Sequence, residues 1–203
     1  MSMSAQDRER IGSAIRAAEA KTAGEIVCVL AKSSTDATAL PVMIAAVAAL
    51  ALPWLLVAYS AMPVDRILTL QVVAFIVLVM VLSLPSIRAA LVPRKARRAL
   101  AHRAAMAQFA MRGIARTRNR NGILIFVSLA ERYARIVADD GIAARVPQTE
   151  WQAAVDALTA HMRDGRIADG FIAAITSCGE HLARHFPRGP DDRDELPDKI
   201  YVV

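Results

Sequence analysis

Residues 40–63, LPVMIAAVAALALPWLLVAYSAMP, and residues 67–87, ILTLQVVAFIVLVMVLSLPSI, carry no charged side chain. A helix needs about 20 apolar residues to cross a bilayer core, and both segments reach that length. Only Val64, Asp65 and Arg66 stand between them, so the pair reads as a tight re-crossing with both flanking parts on one side. Pro53 is expected to kink the first span without abolishing it, and Pro85 sits near the end of the second. Trp54 and Tyr59 fall toward the far interface as aromatic anchors. A buried hairpin in a soluble core is the competing reading, and two uncharged segments of this length argue against it.

Charge sets the orientation. From Arg66 to Ala130 the chain has no Asp or Glu, and Arg88, Arg94, Lys95, Arg97, Arg98 and Arg103 follow the second span closely. The tip carries only Arg66, so the positive-inside rule puts both termini in the cytoplasm. Arg94, Lys95, Arg97 and Arg98 form a basic cluster at the membrane surface, where each charge gains about 1 kcal/mol near anionic headgroups. The net charge of +6 comes mainly from this block. No base-reading motif accompanies it, so a nucleic-acid partner is not expected. The start, MSMSAQDRER, is polar and does not read as a secretory signal. Cys28 and Cys178 read as free thiols on the reducing side of the membrane.

The rest alternates helix and strand. An amphipathic helix is expected over about Ser4–Lys21, with Ile11, Ala14, Ile15 and Ala18 on one face, Ser4 as cap and Gly24 as stop. EIVCVLA, Glu25–Ala31, is a strand rich in β-branched residues, and KSSTDAT links it to the first span. Pro93 opens a basic helix to about Arg116 whose apolar stripe is Leu100, Ala104, Ala107, Met111 and Ile114. GILIFVS is a strand buried on both faces, and YARIVA a less enclosed one. Thr149 and Gln152 read as a capping box, Gly165 as a helix stop, and RIADGFIAAITSCGEHLARHF as a last helix ended by Pro187. The tail PRGPDDRDELPDKIYVV is acidic and Pro-rich before turning apolar at Ile200. A strand, crossover helix and strand make a βαβ unit with a parallel pair. The domain plan is 1–35 and 93–187 as two parts of one α/β domain, 38–92 as the transmembrane hairpin, and 188–203 as an acidic tail.

Several stretches together, TAGEIVCVL, HRAAMAQF, TRNRNGILIFVSLAERYARIVADDGI, EWQAAVDAL, GRIADGFIAAITSCGEHLARHFP and DELPDKI, resemble the TPM-domain family, in a short bacterial membrane-embedded branch. The resemblance covers residues 1–32 and 94–203 and implies an α/β/α sandwich with an inserted transmembrane helical hairpin. It places the chain in the bacterial inner membrane. Relatives implied by it include accessory proteins of photosynthetic complexes and proteins associated with ion channels. Weak acid phosphatase activity and divalent-metal binding are attributed to parts of the family. Carried onto this chain, the metal candidates are Asp139 and Asp140, for Ca²⁺ or Mg²⁺ as the possible cofactor.

On residue chemistry alone, Asp139 and Asp140, with Glu150, offer hard oxygen ligands, while Asp-Asp-Gly is also ordinary turn chemistry. Cys178 and Arg184 have the spacing of cysteine-dependent phosphatases, but Cys178 falls on an apolar helical stripe and reads as a core residue. His181 and His185, four apart, lack a third ligand. The reading that follows is a non-enzymatic accessory module at the cytoplasmic face. Its expected partners are the lipid bilayer and other membrane proteins, with a metal-assisted phosphatase as the alternative. The run AAVAALA in the first span would permit a homo-oligomer.

Overall fold

The computed structural model describes residues 3–33, 39–84, 87, 93–189 and 194–203. Expectations for Pro85, Arg88 and most of the KSSTDAT linker lie outside these residues. The chain divides into two units, Met1–Ser34 with Arg98–Val203, and Thr35–Arg97.

In the first unit, continuous apolar runs make the central strands. Every residue of β1 (Glu25–Ala31) and β2 (Gly122–Ser128) is buried. They run parallel in register, Glu25 opposite Gly122 and Ala31 opposite Ser128. This is the burial that a parallel sheet covered on both faces demands. β3 (Tyr133–Ala138) returns antiparallel at the edge, Ser128 opposite Tyr133 and Ile123 opposite Ala138. Its alternating sequence matches its partial burial. The tail, expected only to turn apolar at Ile200, supplies β4 (Ile200–Val202), parallel to β1 with Cys28 opposite Ile200. The order is β3-β2-β1-β4.

Alternate residues of the sheet face two cores. One joins Ile26, Cys28, Leu30, Ile123 and Ile125 to three helices. These are α1 (Ala5–Glu19), α6 (Glu150–Arg163) and α7 (Ile167–His185). The other joins Val27, Val29, Leu124 and Phe126 to α4 (Arg94–Met111) and to a short 3-10 turn, Ile114–Arg116. The fold is therefore an α/β/α sandwich. Ser4 caps α1 by accepting from the Asp7 amide at 3.0 Å. Gly24 does not stop that helix, which ends at Glu19. Instead Gly24 leaves room for Leu182, whose Cδ1 would lie 2.9 Å from an added Cβ.

Two local expectations are corrected. The basic helix buries Ala101, Ala105 and Phe109; of the expected stripe, Ile114 is buried and Ala104 packs against the same core, while Ala107 and Met111 are exposed. The helix carries two apolar stripes, and the sheet takes the one combining small alanines with Phe109. Thr149 precedes α6 in a helical conformation without a side-chain cap, because Gln152 turns its amide to Asp156 Oδ1 at 2.8 Å. Gly165 does end α6, at φ 76°, where only glycine is unstrained.

The second unit is a pair of helices, α2 (Ala39–Tyr59) and α3 (Val64–Leu82). Both are long and apolar enough to cross a membrane. The turn between them is 60–63, and Val64, Asp65 and Arg66 form the first turn of α3 rather than the connection. Pro63 supplies its cap position, and Asp65 suits the positive end of the helix dipole.

Candidate functional site

The acidic pair at the end of β3 is separated by the backbone. Asp139, 4% exposed, is the N-cap of α5 (Asp140–Ala143), and its Oδ1 accepts from the Asp140 amide at 2.8 Å. Asp140 points out to Arg120 Nη1 at 2.7 Å. Gly141 fits where a Cβ would lie 2.5 Å from the Arg120 carbonyl oxygen and 2.8 Å from that of Asn119. The motif thus has a structural account, an Asp cap and a glycine pressed against main chain. Asp139 Oδ2 remains buried with no hydrogen-bond partner among the described residues. A hard cation takes six to eight oxygens, and this pair offers one such oxygen beside a carboxylate already paired with arginine. Glu150 is placed at His181, Oε2 to Nδ1 at 3.1 Å, where the imidazole also meets Trp151 edge-on. His185 is exposed at the end of α7.

Cys178 is fully buried in the middle of α7, with Arg184 exposed further along the same helix. No phosphate-wrapping loop joins them, and burial pushes the thiol well above its usual range. Cys28 is likewise buried, and both thiols are free.

A second acidic group gathers at the amino end of β1, and local sequence does not announce it. Glu19, Asp194 and Asp198 place carboxylate oxygens within 4.8 Å of one another. They line a cavity of ≈ 240 Å³ together with Arg16, Glu25 and Arg188. Glu19 Oε1 accepts from the Ile26 amide at 2.6 Å. Burial first, then its hydrogen bond to Asp198 and the nearby Glu25 charge, push the Glu19 carboxyl up to about 9. Glu25, 6% exposed, accepts from the amides of Glu195 (3.1 Å) and Leu196 (3.3 Å). Burial and then the Asp194 charge push it up to about 7. At neutral pH Glu19 therefore holds a proton that it shares with Asp198. One signal was legible: Glu19 ends a helix, where the dipole disfavours a carboxylate.

At the opposite end of the central strands, Glu131 is buried and accepts from Ser128 Oγ and from Ser33 Oγ, the latter at 3.1 Å. This ties the β2–β3 turn to the end of β1 and accounts for Ser and Glu in NGILIFVSLAER. A second cavity, ≈ 390 Å³, lies by Leu30 and the starts of α1 and α7. Of its charged walls, Arg10 pairs with Asp169 at 2.7 Å and with Asp7 at 3.4 Å, while Arg166 pairs with Asp164 at 2.9 Å. The Arg10 hydrogen bond holds the Asp169 carboxyl below the usual range.

The family model described as the TPM domain matches residues 77–181. Among solved structures, the NMR structure of the BA42 protein from the psychrophilic bacterium Bizionia argentinensis is similar over 100% of this chain and 97% of that one. The TM-score is 0.63 and the sequence identity 22%. No curated protein sequence matches the chain.

Proposed function

Because the chain belongs to the TPM-domain family, we propose that it is a membrane-anchored accessory module of the bacterial inner membrane. It carries out no catalysis of its own and presents its sandwich to other membrane proteins at the cytoplasmic face. The observation that carries this reading is the surface of the hairpin. Trp54 is 81% exposed, Tyr59 88%, Met80 69% and Val47 68%. A soluble monomer rarely tolerates so continuous an apolar surface, whereas hydrocarbon solvates it. The Lys and Arg residues after α3 support the cytoplasmic orientation, with Arg94, Lys95, Arg97 and Arg98 beneath the headgroups. A reporter fused after Val203 should be active only on the cytoplasmic side; periplasmic activity would overturn this orientation.

A metal-assisted phosphatase using Asp139 and Asp140 has one supporting observation, the buried Asp139 oxygen without a partner. The arginine pairing of Asp140 and the capping role of Asp139 weigh against it. Purified protein in detergent should hydrolyse phosphomonoesters no faster than a blank, with or without Mg²⁺ or Ca²⁺. Metal-dependent turnover lost in Asp139→Asn would instead establish the phosphatase. Asp139→Ala, by removing a helix cap, should cost about 1 kcal/mol of stability in either case.

A further inference from the structure

α3 carries a polar side chain that the hairpin leaves unpaired among the described residues. Gln71 stands seven residues after Val64, about 10 Å along the helix axis from the start of the span. α3 is long enough to cross a membrane, whose hydrocarbon core is roughly 30 Å thick, so the carboxamide lies well inside it. The hydroxyls of Ser60 and Thr69 return to their own helices, donating to the Leu56 carbonyl at 2.6 Å and the Asp65 carbonyl at 2.8 Å. Gln71 makes no such bond to any described residue, and it is only half-buried. A carboxamide offers two donors and an acceptor oxygen, and hydrocarbon meets none of them.

Depth and chemistry name the occupant. α2 and α3 pack on each other, and Ala45 and Ala49 of the AAVAALA run are buried, so those alanines are not free for a second contact. Beside Gln71 an apolar face stays open, with Leu68 54% exposed, Val72 58% exposed and Phe75 half-buried. At 3.6 residues per turn the four side chains lie on one face, within about a 100° arc. Copies that insert in the same orientation bring Gln71 to the same depth. A carboxamide is its own complement, donating through N–H and accepting at C=O, so two of them can exchange both bonds across a two-fold axis along the membrane normal. An unrelated helix would need a polar group at that depth, and a second copy has one by construction.

We infer that α3 pairs with α3 of a second copy in the bilayer through Leu68, Gln71, Val72 and Phe75, the two Gln71 carboxamides hydrogen-bonded to each other at the two-fold axis. The inference rests on the membrane-anchored reading and adds to it a self-association surface on the hairpin. Side-chain hydrogen bonds hold membrane helices together where lipid tails compete with every apolar contact. A lone polar residue in an apolar helix interface also fixes register and partner number. Gln71 is thus the determinant of the pair, and its apolar neighbours supply the fit around it.

Disulfide trapping of the full chain in bacterial membranes tests this. Leu68→Cys and Val72→Cys probe the proposed face, and Val73→Cys and Val77→Cys, at positions 50% and 51% exposed, probe the side turned away from it. Cys28 and Cys178 are buried, so the parent chain is the blank. Oxidation with copper phenanthroline should link the first two variants into a product of twice the chain mass and leave the other two single. In density-matched detergent, sedimentation equilibrium should show Gln71→Leu weakening self-association by roughly tenfold, with Gln71→Asn, which keeps the carboxamide, closer to the parent. Equal linking on both faces, or an unchanged association constant in Gln71→Leu, overturns the pairing through Gln71. A linked product of any other mass assigns the face to a different protein and overturns the second copy. If no variant links while the chain resists alkaline carbonate extraction, the pairing is wrong and the anchor stands. Extraction by carbonate overturns both.

Discussion

Trp151→Ala is expected to lower the stability of the sandwich by about 3–5 kcal/mol, the usual loss for truncating a buried Trp. This is a large part of the roughly 5–15 kcal/mol that holds a domain together. Trp151 is fully buried on α6, in the core that joins α1, α6 and α7 to the sheet. Its ring meets His181 of α7 at 5.9 Å, edge to face, so truncation opens a void where the two helices meet. The indole nitrogen has no hydrogen-bond partner among the described residues, which makes ring volume, not polarity, the property that matters. Trp151→Phe should therefore retain most of the stability. Amide exchange of β1 and β2 reads the sandwich separately from the hairpin. The alanine change should accelerate it by roughly 10²–10³-fold, at tenfold per 1.4 kcal/mol. Exchange slower than tenfold above the parent would show that this core can collapse around the gap.

The same residue shows where sequence reading succeeds and where it stops. A helix beginning near EWQAAVDAL is legible from its spacing, and α6 begins at Glu150. The capping box expected there does not form, because a side chain chooses among partners and Gln152 finds Asp156. The strands β1, β2 and β3 are legible to their ends, since runs such as GILIFVS have no other comfortable conformation. The facing of α4 is not legible. Two apolar stripes compete on one helix, and sheet geometry decides between them. β4 escapes because three residues after a Pro-rich tail carry little periodicity, and only pairing to β1 makes them a strand. The acidic cavity is the furthest from view. Its members come from the end of α1, the start of β1 and a tail some 170 positions away, so no local pattern brings them together.

That cavity makes the stability of the sandwich depend on pH with a definite sign. Glu19 and Glu25 both have folded values raised, to about 9 and about 7, above an ordinary 4.5. The folded state therefore keeps protons that the unfolded chain releases. Their contribution is complete below about pH 4.5 and is lost as pH rises through about 7 and then about 9. Each group changes stability by at most about 1.4 kcal/mol per pH unit in its window. The element most exposed to this loss is the tail, since ionised Glu25 is repelled by Asp194 there and Glu19 shares its proton with Asp198 just before β4. Melting midpoints should fall from about pH 5 to about pH 9. Two amide substitutions then part company. In Glu19→Gln the side-chain oxygen can still accept from Ile26 and the nitrogen can donate to Asp198, so the alkaline part of the fall should flatten. In Glu25→Gln one of the two acceptors becomes a donor facing a tail amide, which costs about 1–3 kcal/mol for an unmet buried group. That variant should melt lower at mildly acid pH and release β4 first, read as faster exchange of the Val203 amide, which bonds the Leu30 carbonyl. A parent profile that is flat or rises across this window would show that the carboxylates of Glu19 and Glu25 are solvated. Equal effects of the two substitutions would show that the tail is held by β4 pairing alone.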